Sequence, residues 1–405
     1  MDVCVIGGGA AGMFAAITAA RAGARVRLLE RGGRVGRKLL ATGNGRCNLT
    51  NTAAGAAHYY GSDPGFAAAA LDICPPERVM GLFEEIGLLC AAEYGGRVFP
   101  LCNQASAVLD VLRNELDRLK VAVLTDSEAV SARKTARFAI KTAAGDDFAC
   151  DRLIIAAGGL AAPSLGSNGG GLALLRAFGH TITKTTPALA QLRVAGAFVK
   201  GLRGIKTAAR VAAFSGGEPV CRAEGDVLFA DYGLSGTAVM DVSRALHWYE
   251  GVTLYIDFMP GYSADELLKI LSRRRETLAH LTLENYLTGA VNKKLGQALI
   301  KAAGFDRLSA PVSSLTDGQI RRIASQIKNT GFAVEGHNGW ENAQVTAGGA
   351  LTAEFDPRAM RSRKVPGLFA AGEVLDIFGD CGGYNLQWAW ASGYAAGLAA
   401  VKGHL

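Results

Sequence analysis

Spaced cysteine pairs, metal-ligand clusters and long apolar runs are all missing from this chain. The eight cysteines (Cys4, Cys47, Cys74, Cys90, Cys102, Cys150, Cys221 and Cys381) are scattered. None forms a C-x-x-C pair, so dithiol redox and zinc-ribbon motifs are excluded. No His/Cys/Asp/Glu grouping has metal-ligand spacing, and no metal is expected. No run reaches the ~18 apolar residues that a membrane span needs. The N-terminus MDVCVIGGGA lacks a basic region and a cleavage signal, so no secretory peptide is expected. Reduced thiols in a cytoplasmic protein follow as the expectation. Walker and Ser-His-Asp patterns are likewise absent, and His180 and His337 read as structural. Only 20% of residues are charged and 49% are apolar, which excludes a disordered chain. At 405 residues, two or three domains are expected.

Glycine is abundant, at 52 residues without a collagen-like period, so it marks tight turns and close backbone approaches. The strongest local signal is DVCVIGGGAAGMFAAITAARAGARVRLLE. A β-prone run from Val3 to Ile6 is followed at once by Gly7-x-Gly9-x-x-Gly12. Helical composition runs from Met13 to Ala22, and a second strand from Ala24 to Leu29 ends at Glu30. Gly7 permits the turn, Gly9 lets a pyrophosphate approach the backbone, and Gly12 lets helix and strand pack closely. The helix N-terminus offers free N–H groups to the diphosphate. Glu30 stands where a carboxylate binds an adenosine ribose and favours a free 2′-hydroxyl, hence FAD or NAD over NADP. The motif alone does not separate the two.

The C-terminal segment does. Gly367 to Ala371 reads as a buried strand ending at Gly372-Glu373, and Gly382-Gly383-Tyr384-Asn385 opens a helix from about Leu386 to Val401. A carboxylate (Glu373, Asp376) at a strand end and a Gly-Gly helix start suit the polar edge of a flavin. LIIAAGG (Leu153–Gly159) returns to the nucleotide-binding sheet. Ala105–Leu119 has the spacing of an amphipathic helix. GSNGGGLALLRAFGH (Gly166–His180) reads as a structural loop and helix. The middle of the chain has short strands from about Ala188 to Phe258, then helices from Tyr262 to Thr330, and so reads as an insertion. Residues 260–330 hold 11 Lys/Arg against 6 Asp/Glu, a basic surface that attracts RNA, an anionic cofactor or an acidic metabolite.

Seven stretches then carry a resemblance: VIGGGAAGMFAAITAA, GRKLLATGNGRCNLTN, GRVFP, LIIAAGG, LFADYGLSGTAVMDVSR, VTAGGA and GLFAAGEVLDIFGDCGGYNLQWAWASGYAAG. The chain resembles the HI0933-like flavoproteins, which include BaiN-like NAD(P)/FAD-dependent oxidoreductases and aminoacetone oxidases. The resemblance implies an α/β fold: a glutathione-reductase-like Rossmann FAD domain built from both chain ends, with an inserted β-barrel-like domain and a helical subdomain. The expected bounds are 1–187 and 346–405 for the FAD domain, 188–258 and 331–345 for the β-rich insert, and 259–330 for the helices. Ala230-Asp231 stand where the family carries Thr-His, and Thr237 where Pro is usual.

Gly36–Asn51 then reads as a cradle for FAD. Gly36, Gly43 and Gly45 let the backbone pass the cofactor, and Arg37, Lys38 and Asn44 face its polar atoms. A disulfide reductase of this fold would show a C-x4-C pair, but Cys47 stands alone. The expected FAD contacts are Gly7, Gly9, Ala10, Ala11, Gly12, Glu30 and Arg31 in the first motif. Arg37, Lys38, Leu39, Thr42, Gly43, Asn44, Cys47 and Asn48 follow in the cradle. Ala157, Gly158, Gly159, Gly372, Glu373, Asp376, Gly383, Tyr384, Asn385 and Leu386 complete the set. The resemblance implies reduction of a C=C bond conjugated to a carbonyl in a steroid or bile-acid enone. NAD(P)H would be the transient reductant, because no second dinucleotide fingerprint is present. Alternatives are an rRNA uridine reductase using the basic helical insert (Arg273-Arg274-Arg275, Lys293-Lys294), an aminoacetone-type amine oxidase, and a non-catalytic FAD protein. Candidate proton donors are Tyr384, Cys47 and Tyr232. The oligomeric state is left open.

Overall fold

A computed structural model describes residues 1–403. The chain forms two compact units, Met1–Pro187 together with Gln344 onward, and Ala188–Ala343. It leaves the first along Thr186–Ala190 and returns along Ala343–Ala347.

The first unit is built on a five-stranded sheet ordered Leu368–Ala370, Arg152–Ile155, Asp2–Ile6, Arg25–Leu29, Ala122–Leu124. All its pairings are parallel. Val3–Ile6, Leu153–Ile155 and Leu368–Ala370 are buried throughout, as expected for strands covered on both faces. Thus Asp2–Ile6 and Leu368–Ala370, from opposite ends of the chain, share one sheet.

The first helix spans Ala10–Arg21, starting earlier than its composition suggests because Gly9 serves as its N-cap. Every residue from Ala11 to Ala19 is buried. Such a helix has no solvated face and must be covered twice. The sheet covers one side, and the C-terminal helix Tyr384–Lys402 covers the other. Glycines set the closeness of that second contact. A Cβ on Gly393 would lie 2.4 Å from the Ala11 carbonyl oxygen, and one on Gly397 2.4 Å from that of Ala15. The sequence run of small residues is therefore a backbone-to-backbone seam.

The second unit holds a seven-stranded sheet. Its order is Thr330–Ala333, Thr253–Asp257, Lys206–Ser215, Glu218–Ala230, Gly233–Ser235, Leu192–Arg193, Gly336–His337. Its pairings are antiparallel. A barrel-like insert was expected; among the described residues no pairing closes the ladder. Three helices, Ala264–Thr277, Lys293–Ala302 and Asp317–Lys328, pack in the same unit. Two start with reciprocal capping boxes, Ser263 with Glu266 and Thr316 with Gln319. Among the described residues no helix is long and apolar enough to cross a membrane.

Candidate functional site

The turn after the first strand is shaped by what each glycine faces. Gly7 has φ +106°, and a Cβ there would meet the Ala156 carbonyl oxygen at 2.5 Å. A Cβ on Gly12 would meet the Gly7 oxygen at 1.8 Å. Gly9 is different: nothing lies within 4 Å of its Cβ position. The turn is thus packed on its inner side and open at Gly9. The first turn of the helix, Ala10 to Gly12, has no side-chain cap. Uncapped N–H groups at a helix start favour an anion. Glu30, at the end of the second strand, accepts from Gly8 N at 2.8 Å and Gly32 N at 2.7 Å. Those bonds hold its carboxylate beside the turn. Across the sheet, Gly158 (φ +72°) is also open, whereas Gly159 is packed on Thr346.

Gly36–Asn51 forms a short helix, Arg37–Ala41, then a left-handed run of Gly43 at φ +57°, Asn44 at +55° and Gly45 at +83°, with Cys47 at +61° after the right-handed Arg46. Gly43, Asn44 and Gly45 are exposed. The C-terminal helix ties this loop down. Trp390 Nε1 donates to Leu49 O at 2.9 Å, and Thr50 Oγ1 donates to Gln387 Oε1 at 2.6 Å. Asn51 Nδ2 donates to Gly382 O at 3.0 Å. Gly383, at φ +103°, is the N-cap of that helix; a Cβ there would meet Thr50 O at 2.4 Å and Asn48 Oδ1 at 2.9 Å. Asn48 Oδ1 is buried and has no hydrogen-bond partner. A buried, unpartnered amide oxygen costs on the order of 1–3 kcal/mol unless something fills it. Asp376 also keeps one buried oxygen unpartnered, while its other accepts from Ser62 N and Thr183 Oγ1.

Lys38 Nζ lies 2.8 Å from Glu373 Oε2, so the N-terminal loop is ion-paired to the C-terminal strand end. Glu373 Oε1 accepts from Thr346 N, and Thr346 Oγ1 accepts from Leu160 N and Ala161 N. Three sequence-distant motifs thereby meet. Other expected residues spend their side chains within the protein. Arg31 donates to Gly166 O and Arg37 to Ser164 O. Asn385 is bonded to the backbone of Gly379 and Asp380. Thr42 Oγ1 donates to Leu39 O.

The three candidate proton donors are placed very differently. Cys47 is 0% exposed, and burial pushes its thiol up to about 12, so it is a packed neutral thiol. Tyr232 lies in the second unit, beside the turn between Glu218–Ala230 and Gly233–Ser235. Tyr384 opens the C-terminal helix, two residues before the expected start near Leu386, and is only 7% exposed. Its ring stacks on His58, centroids 4.3 Å apart, and meets Tyr59 edge-on. His180 is buried between Glu354 Oε2 and Ser362 Oγ, both at 2.9 Å. That chain resembles a hydrolytic triad, but Ser362 Oγ is engaged by Lys364 N and Val365 N and is buried. It locks the fold locally.

Several positioning residues escaped the sequence reading: Gln387, Trp388, Trp390, Ser392, Thr346, Thr50, Asn51, His58 and Asp380. The one available signal was polar and indole groups inside the small-residue helix NLQWAWASG. Each has a buried partner, including Trp388 Nε1 on Gly372 O and Ser392 Oγ on Gly372 N.

A family model described as the HI0933-like protein Rossmann domain matches residues 1–399. The chain belongs to the HI0933-like family. A 3-dehydro-bile acid delta(4,6)-reductase of Clostridium scindens is 40% identical over 404 residues, 98% of each chain. A ribosomal RNA dihydrouridine synthase of Escherichia coli is 32% identical over 398 residues, covering 97% of this chain and 96% of that one. Among solved structures, 3-ketosteroid delta1-dehydrogenase from Sterolibacterium denitrificans superposes with a TM-score of 0.53, at 14% identity and covering 99% of both chains. That likeness concerns the fold, so within the HI0933-like family the two sequence relatives frame the question of activity.

Proposed function

We propose that the protein is an FAD-dependent oxidoreductase that reduces a carbonyl-conjugated C=C bond of a steroid- or bile-acid-like enone with NAD(P)H. The observation that carries this reading is 40% identity to a bile-acid reductase over 98% of both chains. The residues present suit FAD. Gly9 and the uncapped start of the first helix accommodate a diphosphate, and Glu30 is set to receive ribose hydroxyls on its remaining lone pairs. The orphaned Asn48 oxygen beside Gly383 offers an acceptor to a donor on the flavin ring system. Bound there, FAD supplies the hydride chemistry that amino-acid side chains lack.

The chain's own residues then have distinct tasks. The Lys38–Glu373–Thr346 chain holds the cradle against the returning strand, with Ala157–Gly159 and Gly372 beside it. The start of the C-terminal helix at Gly383 presents N–H groups that favour negative charge. Residues 1–187 and 346–405 are assigned to the cofactor, and the insert to substrate selection.

The second reading, an rRNA uridine reductase, is favoured by 32% identity to the dihydrouridine synthase. Its expected handle is weaker than the sequence suggests. Arg274 donates to Tyr286 O and Thr288 O, and Arg275 to Leu315 O and Asp317, so both fasten helices rather than present charge.

The test is anaerobic. Protein loaded with FAD is mixed with NADH or NADPH, and the reduced form with a steroid enone, unmodified rRNA or buffer. Fast reoxidation by the enone alone is expected. Reoxidation by rRNA alone would replace the first reading with the second. A flavin that neither nucleotide reduces, with peroxide formed from aminoacetone, would refute both.

A further inference from the structure

We propose that His58 is the acid that protonates the α-carbon of the reduced substrate, with Asp380 as its positioning residue. The assignment rests on the enone-reductase reading above. Strand Tyr59–Gly61 pairs antiparallel with Ile377–Gly379, setting Tyr59 opposite Gly379. That register brings the flanking residues, His58 and Asp380, together. Asp380 N donates to His58 O at 3.1 Å, and His58 Nδ1 lies 3.0 Å from Asp380 Oδ2, an acceptor when ionised. The flat face of the imidazole rests on Tyr384, with ring planes 21° apart. Tyr384 is anchored in turn, since Tyr59 OH donates to its carbonyl at 2.9 Å. Backbone, carboxylate and ring thus fix the imidazole. The titratable groups around it are Asp380, Tyr384 and Tyr59.

The Nε2 edge remains. It makes no hydrogen bond to the described residues, and the side chain is 37% exposed, against 18% for Asp380. The ring under it is the first residue of the C-terminal helix, immediately after Gly383, which abuts Asn48 and Thr50 of the cradle. The sealed Cys47 thiol and the packed Tyr384 offer no comparable group.

The chemistry balances. A hydride equivalent, whose two electrons come from oxidation of NAD(P)H, adds at the β-carbon. The C=C π bond breaks and its pair passes to the enolate oxygen. The Nε2–H bond of the imidazolium then breaks, a C–H bond forms at the α-carbon, and the ketone is restored. The neutral imidazole keeps its hydrogen on Nδ1, where Asp380 accepts it, and regains a proton from water at Nε2. One enone, one NAD(P)H and one proton become one saturated ketone and one NAD(P)⁺.

Two measurements test this. In FAD-free wild-type protein, ¹⁵N-histidine NMR should show neutral His58 as the Nδ1–H tautomer, and Asp380→Asn should shift it toward Nε2–H. His58→Asn keeps an N–H donor for Asp380 and removes Nε2. This variant should load FAD and be reduced by NAD(P)H as wild type is. Its reoxidation by a steroid enone should slow by about 100-fold or more, with loss of the solvent isotope effect. If it does not fold, His58→Gln is read the same way. An Nε2–H tautomer in wild type, or enone reoxidation of the variant at the wild-type rate, overturns the role of His58 while leaving the proposed function standing. A wild-type flavin that no enone reoxidises overturns the proposed function, and this role with it.

Discussion

Gly393→Ala isolates the seam that joins the two ends of the chain. Both Gly393 and Gly81 lie inside helices, Tyr384–Lys402 and Pro76–Glu85, and neither has a positive φ. Helix propensity alone favours alanine at each by roughly 0.5–1 kcal/mol. Space separates them. Around a Cβ on Gly81 nothing lies within 4 Å, whereas one on Gly393 would sit 2.4 Å from Ala11 O and 3.2 Å from Ala11 C. The obstruction is backbone, so the two helices must move apart. Such overpacking costs typically about 1–3 kcal/mol. Net of propensity, G393A should destabilise the first unit by about 1–2 kcal/mol, and G81A should stabilise it by about 0.5–1 kcal/mol. Ala11 belongs to the first turn of the helix proposed to face the diphosphate, so G393A should also weaken FAD binding. Urea unfolding of the FAD-free proteins followed by tryptophan fluorescence, with FAD titration alongside, reads both effects. Trp388 and Trp390 lie on the seam helix, and Trp248→Phe with Trp340→Phe as background makes the probe local to it. If G393A is as stable as G81A and binds FAD as wild type does, the seam does not position the site.

Glu30→Ala removes the acceptor for Gly8 N and Gly32 N along with the proposed ribose partner. FAD affinity should fall about 10–100-fold, matching the ~1.5–3 kcal/mol of hydrogen bonds to a charged group, as measured by flavin titration. Under native conditions iodoacetamide should label exposed Cys102 and leave buried Cys47 and Cys74 unmodified, by peptide mass mapping. Burial raises the Cys47 and Cys74 thiols to about 12 and Cys90 to about 11. The folded state therefore keeps protons that the unfolded state releases. That contribution is fully present below the unfolded thiol value near ~8.5 and should be lost as pH rises from there toward 12. Urea midpoints across alkaline pH, compared with Cys47→Ala, check the sign. Arg274→Ala strands the carbonyls of Tyr286 and Thr288; it should destabilise the second unit by ~1–3 kcal/mol and leave the salt dependence of RNA association unchanged.

The nucleotide-binding turn was legible because its chemistry is local. Gly7 and Gly12 answer to neighbours one strand or a few residues away, Gly9 is left open, and Glu30 follows the second strand. The C-terminal contribution was legible in part, because Gly382-Gly383 and the small residues after it mark a helix start and a close approach. What that helix does to the cradle was not legible. Gln387 meets Thr50, and Trp390 meets Leu49, across more than 330 positions. No periodicity reports a pairing of that separation. His58 was missed for the same reason: alone in a Gly/Ala-rich stretch it looks like a loop residue, and only the register with Ile377–Gly379 supplies its carboxylate. Arg31, Arg37 and Asn385, expected at the cofactor, are bonded to backbone groups of the fold itself, which no residue type announces.

The net charge of +7 also depends on where the fold places its cations. A run such as Arg273-Arg274-Arg275 attracts phosphate only if its guanidinium groups face solvent, where each neutralised phosphate releases counterions. Arg274 and Arg275 instead satisfy carbonyls at the loops between helices. Lys328 is bonded to Met259 O and Tyr262 O and ion-paired with Asp257, and Lys293 lies 3.8 Å from Glu284. Arg322 lies over the Phe305 ring. The excess of basic residues in 260–330 is thus partly a device for holding short helices and loops together where carbonyls outnumber donors. What remains exposed is Lys269, Arg273, Lys293, Lys294, Lys301, Arg307, Arg321 and Arg322, against the half-buried Arg274, Arg275 and Lys328. A charge count over a sequence window therefore overstates the field that a polyanion would meet. The partial burial of three cations trims that field without abolishing it, so the enone reading stands ahead of the RNA reading on the 40% against 32% identity of the two relatives.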